Sequence, residues 1–193
     1  MVGTTFAGGP FDWLNPFSVM VGLALIAGYI LLGSTYVVIK TKGAVQERAY
    51  HQAYWSALLV AAFMIVVSIW TPVHDPSIPV RWFSPPRIYF IWTFPLLGVV
   101  AFFFLLRSLK KRTELMPFVC SVLLFLSGYL GLQAAIYPYA IPPSVTIYQA
   151  ASQRETMMFT LWGVVIVLPF VVGYTLYSYW VFRGKVEAEA GYH

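Results

Sequence analysis

Residues 17–39 read FSVMVGLALIAGYILLGSTYVVI, a run of 23 residues that contains no ionisable side chain. A helix needs about 20 mostly apolar residues to cross the hydrocarbon core of a bilayer. Asn15 and Pro16 precede this run, and they are residue types that favour the cap and the first position of a helix. The stretch therefore predicts a membrane-spanning helix that begins at about Pro16.

Four further stretches have the same character, at residues 50–70, 88–106, 116–135 and 157–182. Of the 193 residues, 60% are hydrophobic and only 10% are charged, whereas about 25% of the residues in soluble domains are charged. The sequence predicts an all-α polytopic bundle of about five spans, which forms a single transmembrane domain over residues 1–193. Pro95 and Pro169 fall inside spans three and five, where each can kink its helix.

The loops between the spans differ in charge. The loops after spans one and three and the C-terminal tail together carry nine Lys and Arg residues, and the other two loops carry three. Short cytoplasmic loops are enriched in Lys and Arg. We therefore expect the N-terminus outside and the C-terminus in the cytoplasm, as five crossings require.

Small residues recur at helical spacing in two spans. Span four contains Ser127, Gly131 and Ala135, and span one contains Ala24 and Gly28. Such spacing lets helix backbones approach closely in lipid, so it predicts helix–helix contact at these positions. The alternative is that glycine and alanine are simply common in membrane helices.

Chemically active residues are scarce within the spans. No Asp, Glu, Lys or Arg lies deep in any of them, and His51, His74 and His193 all fall outside the mid-membrane region. A haem in a helical bundle needs inward-projecting axial ligands, so we expect no haem ligand, metal ligand or catalytic residue here. Gln133 is the most polar deep residue; it can contact a neighbouring helix, or a partner or quinone carbonyl. The scattered basic residues do not indicate a nucleic-acid partner.

The single cysteine and the segment between spans four and five allow two further predictions. Cys120, the single cysteine, lies in an apolar run and is expected to be buried. Between spans four and five, several prolines prevent regular helix, and Val145–Ser152 is predicted to form a short interfacial helix.

Three segments, in order along the chain, resemble subunit II of cytochrome bd-type quinol oxidases, including the cyanide-insensitive branch. The first is FAGGPFDWLNPFSVMVGLALIAGYILLGSTYVVIKTKGAVQER at residues 6–48. There Lys40, Thr41, Gly43 and Gln46 match the family's Lys-Thr-x-Gly-x-x-Gln loop. The others are YPYAIPPSVTIYQAAS at 137–152, similar to the outer loop before the family's last helix, and YTLYSYWVFRGKV at 174–186, similar to that helix.

The resemblance covers only the C-terminal five helices of that subunit. The family's N-terminal helices, which carry acidic residues associated with proton delivery, have no counterpart in this sequence. The resemblance implies a complex in a bacterial or archaeal cytoplasmic membrane that oxidises quinol and reduces dioxygen to water. Its haems sit in subunit I, the implied partner, together with the N-terminal half of subunit II if that is a separate chain. No cofactor is expected on this chain, with a quinone or lipid contact left open.

Two other functions compete with this one. A small transporter or channel would also have several spans, but it predicts a charged residue or a broken helix pair at mid-membrane. A purely structural membrane scaffold differs only in the identity of its partner.

Overall fold

The computed structural model describes residues 9–11, 14–74, 83, 85, 87–141 and 145–185. Within these ranges, five helices are long and apolar enough to cross a membrane. They are α1 (Pro16–Lys40), α2 (Gly43–His74), α3 (Arg87–Lys110), α4 (Met116–Ile136) and α6 (Arg154–Val181). The predicted all-α fold with five spans is therefore confirmed.

Helix α1 begins where the sequence predicts. The Ser18 backbone N–H donates to Asn15 Oδ1 at 2.9 Å, and the Asn15 N–H donates to Ser18 Oγ at 3.2 Å. This reciprocal capping box satisfies N–H groups that the first turn of a helix leaves without partners. Pro16 occupies the first helical position and needs no such partner.

Helix α2 extends beyond the predicted span at both ends. It begins at Gly43 rather than near Tyr50, and it continues to His74, past Pro72. The reason is that a helix need not end where its apolar run ends: backbone hydrogen bonding continues into the interface. In α3 and α6, the helices likewise run through Pro95 and Pro169.

The chain divides into two units, Met1–Ala135 and Ile136–His193. In the first unit, α1 packs against α2 and α4, and α3 packs against α4. The buried core lies in the half of this bundle near the α1–α2 and α3–α4 loops. Its members are Leu31, Val38, Ala49, Tyr50, Ala53, Ala57, Ala101, Leu105, Leu109, Cys120 and Leu124. The predicted burial of Cys120 is confirmed.

In the second unit, two short strands precede the last span. Strand β1 (Tyr139–Ile141) pairs antiparallel with β2 (Val145–Thr146), and the pairing contains one irregularity. A four-residue helix, α5 (Ile147–Ala150), follows. The helix predicted over Val145–Ser152 is thus shorter, because Val145 and Thr146 pair with β1 and Thr146 then caps α5 by accepting from the Gln149 N–H at 3.3 Å.

Helix α6 is apolar around its whole circumference and contains no buried residue within the described part of the chain. Phe170, near its middle, is 76% exposed. At its end, the Arg183 guanidinium lies 5.2 Å from the centre of the Trp180 ring. An apolar helix surface of this length requires lipid or other protein around it rather than water. The protein is accordingly a multi-pass membrane protein.

Candidate functional site

The two small residues singled out in span one lie differently. Gly28 is buried against α4, where a Cβ atom at this position would lie 3.2 Å from Cε2 of Phe125. Ala24, one turn earlier, is only half-buried. The Gly28 position therefore has little room for a side chain, whereas the Ala24 position is less constrained.

In span four, the predicted packing residues face α3. A Cβ atom at Gly98 of α3 would lie 2.8 Å from Ser127 Oγ, and one at Gly131 would lie 3.3 Å from Phe94 Cβ. Ser127 is buried, while Gly131 and Ala135 are half-buried. The structure thus places Ser127 and Gly131 at a close approach of two antiparallel helices. The role of these residues in helix association stays a prediction.

Gln133 lies on the same helix but is exposed. Its position fits a contact outside the described bundle better than a contact between the helices of the first unit.

A polar contact that sequence reasoning missed joins α1 to α4. The Thr35 and Ser121 hydroxyl oxygens are 3.0 Å apart and both side chains are buried. Around them, the Tyr36 ring packs on Phe118 at a centroid distance of 5.7 Å. Hydroxyl groups in apolar spans are known to hydrogen-bond between helices, but the sequence does not show which pair meets.

A second unforeseen group, which we call the loop cluster, joins the first turns of α2 to the α3–α4 loop. It consists of Gln46, Glu47, Tyr50, Arg112, Thr113 and Glu114. Arg112 Nη1 lies 2.6 Å from Glu47 Oε2, and its guanidinium lies 4.7 Å from the centre of the Tyr50 ring. The Tyr50 hydroxyl donates to the Thr113 carbonyl at 3.1 Å. These contacts place the two basic loops at the same end of the bundle.

The motif that carries the family resemblance has a structural explanation. The Thr41 hydroxyl donates to the Val37 carbonyl at 2.8 Å and so caps α1. Gly43 has a φ of 64°, a conformation that only glycine adopts without strain. Gln46 Nε2 donates to the Val38 carbonyl at 2.9 Å and to Glu114 Oε1 at 3.2 Å. The motif therefore builds a tight connection and ties it to the opposite loop.

In the described residues, no three His, Cys, Asp or Glu side chains are close enough to hold a metal ion. His51 is exposed and accepts from Trp55 Nε1 at 3.0 Å. The His74 side chain and His193 lie outside the described residues. The buried polar side chains are Ser34, Thr35, Ser56, Ser108, Ser121 and Ser127. Each of their hydroxyls has a helix carbonyl within hydrogen-bonding distance.

The described residues thus provide close helix packing and satisfied hydroxyl groups. These contacts join α1 to α4, α3 to α4, and the start of α2 to the α3–α4 loop.

Comparison with known proteins agrees with the motif. A sequence model of the family described as cytochrome bd terminal oxidase subunit II matches residues 1–182. Subunit 2 of the cytochrome bd-I ubiquinol oxidase of Escherichia coli strain K12 is 24% identical over 215 residues, which cover 95% of this chain and 56% of that protein. A probable cytochrome oxidase subunit 2 of Haemophilus influenzae is 21% identical over 212 residues, with the same coverage.

The chain spans about half the length of the curated relatives that it matches. The family match extends over all five spans, from before α1 to the end of α6. The chain therefore belongs to the cytochrome bd terminal oxidase subunit II family.

Proposed function

We propose that this chain is a haem-free membrane part of subunit II in a quinol:dioxygen oxidoreductase, where it supports a haem-bearing subunit I. The observation that carries the proposal is the family match over residues 1–182. Its relative in E. coli is named as a subunit of a ubiquinol oxidase. The redox chemistry belongs to the partner in this proposal, and the present chain contributes packing surface.

The polar groups of the described bundle support the assignment of the redox chemistry to the partner. The buried ones are serine and threonine hydroxyls that bond to helix carbonyls of their own chain. A transporter path is usually marked by charged residues within the spans, and the buried polar side chains of the described residues carry no charge. The apolar surface of α6 offers area for contact with subunit I and lipid.

The orientation forms part of the proposal. The loop cluster joins the start of α2 to the α3–α4 loop. This end of the bundle, residues 40–48 and 107–112, carries seven of the twelve Lys and Arg residues. We therefore place this end in the cytoplasm of a bacterial or archaeal cell, on the positive-inside rule. A cysteine-accessibility experiment with Lys111→Cys tests this: labelling of intact cells by a membrane-impermeant maleimide would contradict it.

Affinity purification tests the assembly itself. The tagged chain is purified in mild detergent from cells that also express the neighbouring genes, and the eluate is examined by reduced-minus-oxidised spectroscopy and by quinol-dependent oxygen uptake. We expect haem and oxidase activity to co-purify with the tag, and not with an identically tagged unrelated membrane protein. Recovery of the folded chain without haem, while subunit I is present in the same membranes, would refute the proposal.

Gln133 is the residue that we propose for a polar contact with the partner or with a quinone, since it is exposed deep in a span. A photo-crosslinking residue at Gln133 should capture subunit I or quinone. The same residue at Leu115, which is exposed in the α3–α4 loop, serves as the control. Equal capture at both positions would remove Gln133 from the contact.

A further inference from the structure

A groove of about 320 Å³ lies between α1 and α2, at the end of the bundle near the loop that joins them. Its lining includes the apolar residues Ile30, Gly33 and Val37 of α1 and Val45 of α2, together with the polar residues Arg48 and Gln52 of α2. The volume is at the lower limit of ligand pockets, which measure about 300–1,000 Å³. The groove therefore suits a single hydrocarbon chain that carries a polar group.

Gly33 keeps this groove open. A Cβ atom at Gly33 would meet nothing within 4 Å, and the residue is exposed. This distinguishes it from Gly28 and Gly98, whose missing side chains make room for a neighbouring helix. At Gly33 the missing side chain instead leaves space that another molecule can fill.

Arg48 gives the groove its charge. It is exposed, and within the part of the chain that the structure describes it has no ion-pair or hydrogen-bond partner. The neighbouring Glu47 is engaged by Arg112 on the other side of the helix end. Arg48 lies in the second turn of α2, so a cation at this level reaches the phosphate layer of the bilayer while its stem runs along apolar surface.

We propose that this groove binds one anionic glycerophospholipid, with its phosphate on Arg48 and one acyl chain along Gly33. The occupant follows from charge complementarity: the apolar walls require a hydrocarbon chain, and the exposed guanidinium requires an anion at its end. A soluble phosphate satisfies only the second requirement, and a neutral isoprenoid tail only the first. The inference requires that the helices span a bilayer, and it does not depend on the identity of the redox partner.

Two pairs of variants test this, each in the complex as purified from membranes. Gly33→Leu places a side chain in the groove, and Gly22→Leu is its control, because Gly22 also has nothing within 4 Å but lies on α1 outside the groove. Arg48→Gln removes the cation. Arg107→Gln is its control, since Arg107 is an exposed residue at the end of α3.

Native mass spectrometry measures binding of phosphatidylglycerol and of phosphatidylcholine to each delipidated variant. We expect Gly33→Leu to weaken binding of phosphatidylglycerol about tenfold or more, the effect of excluding two methylene groups from an apolar environment. Arg48→Gln should reduce the preference for phosphatidylglycerol about fivefold, the usual effect of one basic residue near a membrane surface. Both control variants should bind as the unmodified protein does.

Equal binding by Gly33→Leu and Gly22→Leu would overturn the proposal. A retained preference for phosphatidylglycerol over phosphatidylcholine in Arg48→Gln would also overturn it, because Arg48 would then not hold the phosphate. No preference between the two lipids in the unmodified protein would overturn it as well and would indicate a neutral occupant. Haem content is measured on the same samples and should not change. A loss of haem would show that the variant disturbs the assembly of the complex. Unchanged lipid binding in the same variant would still contradict the lipid site.

Discussion

Gly98→Ala tests the close approach of α3 and α4. A Cβ atom at this position would lie 2.8 Å from Ser127 Oγ, closer than such atoms approach in proteins. The Ser127 side chain is short and its hydroxyl donates to the Leu124 carbonyl at 2.7 Å, so it cannot move aside without breaking that bond. Either the bond breaks or the helices separate. Overpacking of this kind costs about 1–3 kcal/mol of unfolding free energy.

The assay is unfolding in mixed micelles of mild detergent and dodecyl sulfate, followed by tryptophan fluorescence. Ser127→Ala removes the clashing oxygen, so the double variant should recover most of the loss, with a coupling energy of about 1–2 kcal/mol. Gly22→Ala is the control, since nothing lies near that position, and it should change stability by less than about 0.5 kcal/mol. Additive effects of Gly98→Ala and Ser127→Ala would refute the proposed helix contact.

Three further substitutions are measured by the same unfolding assay. Gln46→Leu removes hydrogen bonds to a helix carbonyl and to a carboxylate and should cost about 2 kcal/mol; an equal cost for Gln153→Leu, whose side chain caps nothing, would contradict this. Tyr50→Phe removes one hydrogen bond to the opposite loop and should cost about 1 kcal/mol; unchanged stability would show that the loops are not joined there. Thr35→Val removes the partner of Ser121 and should cost about 0.6 kcal/mol, the average for such pairs in membranes; stabilisation would count against the contact.

The spans were predictable because they depend on local properties. Residues 17–39 are apolar around the whole helix, and lipid requires every backbone group in such a segment to bond within the segment. The start of α1 was also predictable, since Asn15 and Pro16 act on the adjacent turn alone. The ends of α2 were less predictable, because a helix that leaves the hydrocarbon core can continue in the interface.

The contacts between helices could be predicted only in part from the sequence. Small residues at Gly28, Ser127 and Gly131 mark positions where a neighbour can approach, but they do not say which neighbour. Gly98 was not singled out, although it lies opposite Ser127. The Thr35–Ser121 bond joins residues 86 positions apart, so it depends on which faces of α1 and α4 meet.

The loop cluster and the groove were beyond sequence reasoning for the same reason. Gln46 was noticed as part of a motif, yet its carboxamide bonds to α1 and to Glu114 in a distant loop. Arg48 counted only as one of the charges that set the orientation. Its place beside an apolar groove depends on how α1 and α2 pack.

The most direct test of the account is to find which polypeptide carries the haem. The purified oxidase complex is dissociated in the gas phase by native mass spectrometry, and the mass of each released subunit is compared with that of its polypeptide. We predict that this chain leaves without haem, at the mass of its polypeptide plus any bound lipid, while subunit I retains the haems. Release of this chain with a stoichiometric haem would contradict it.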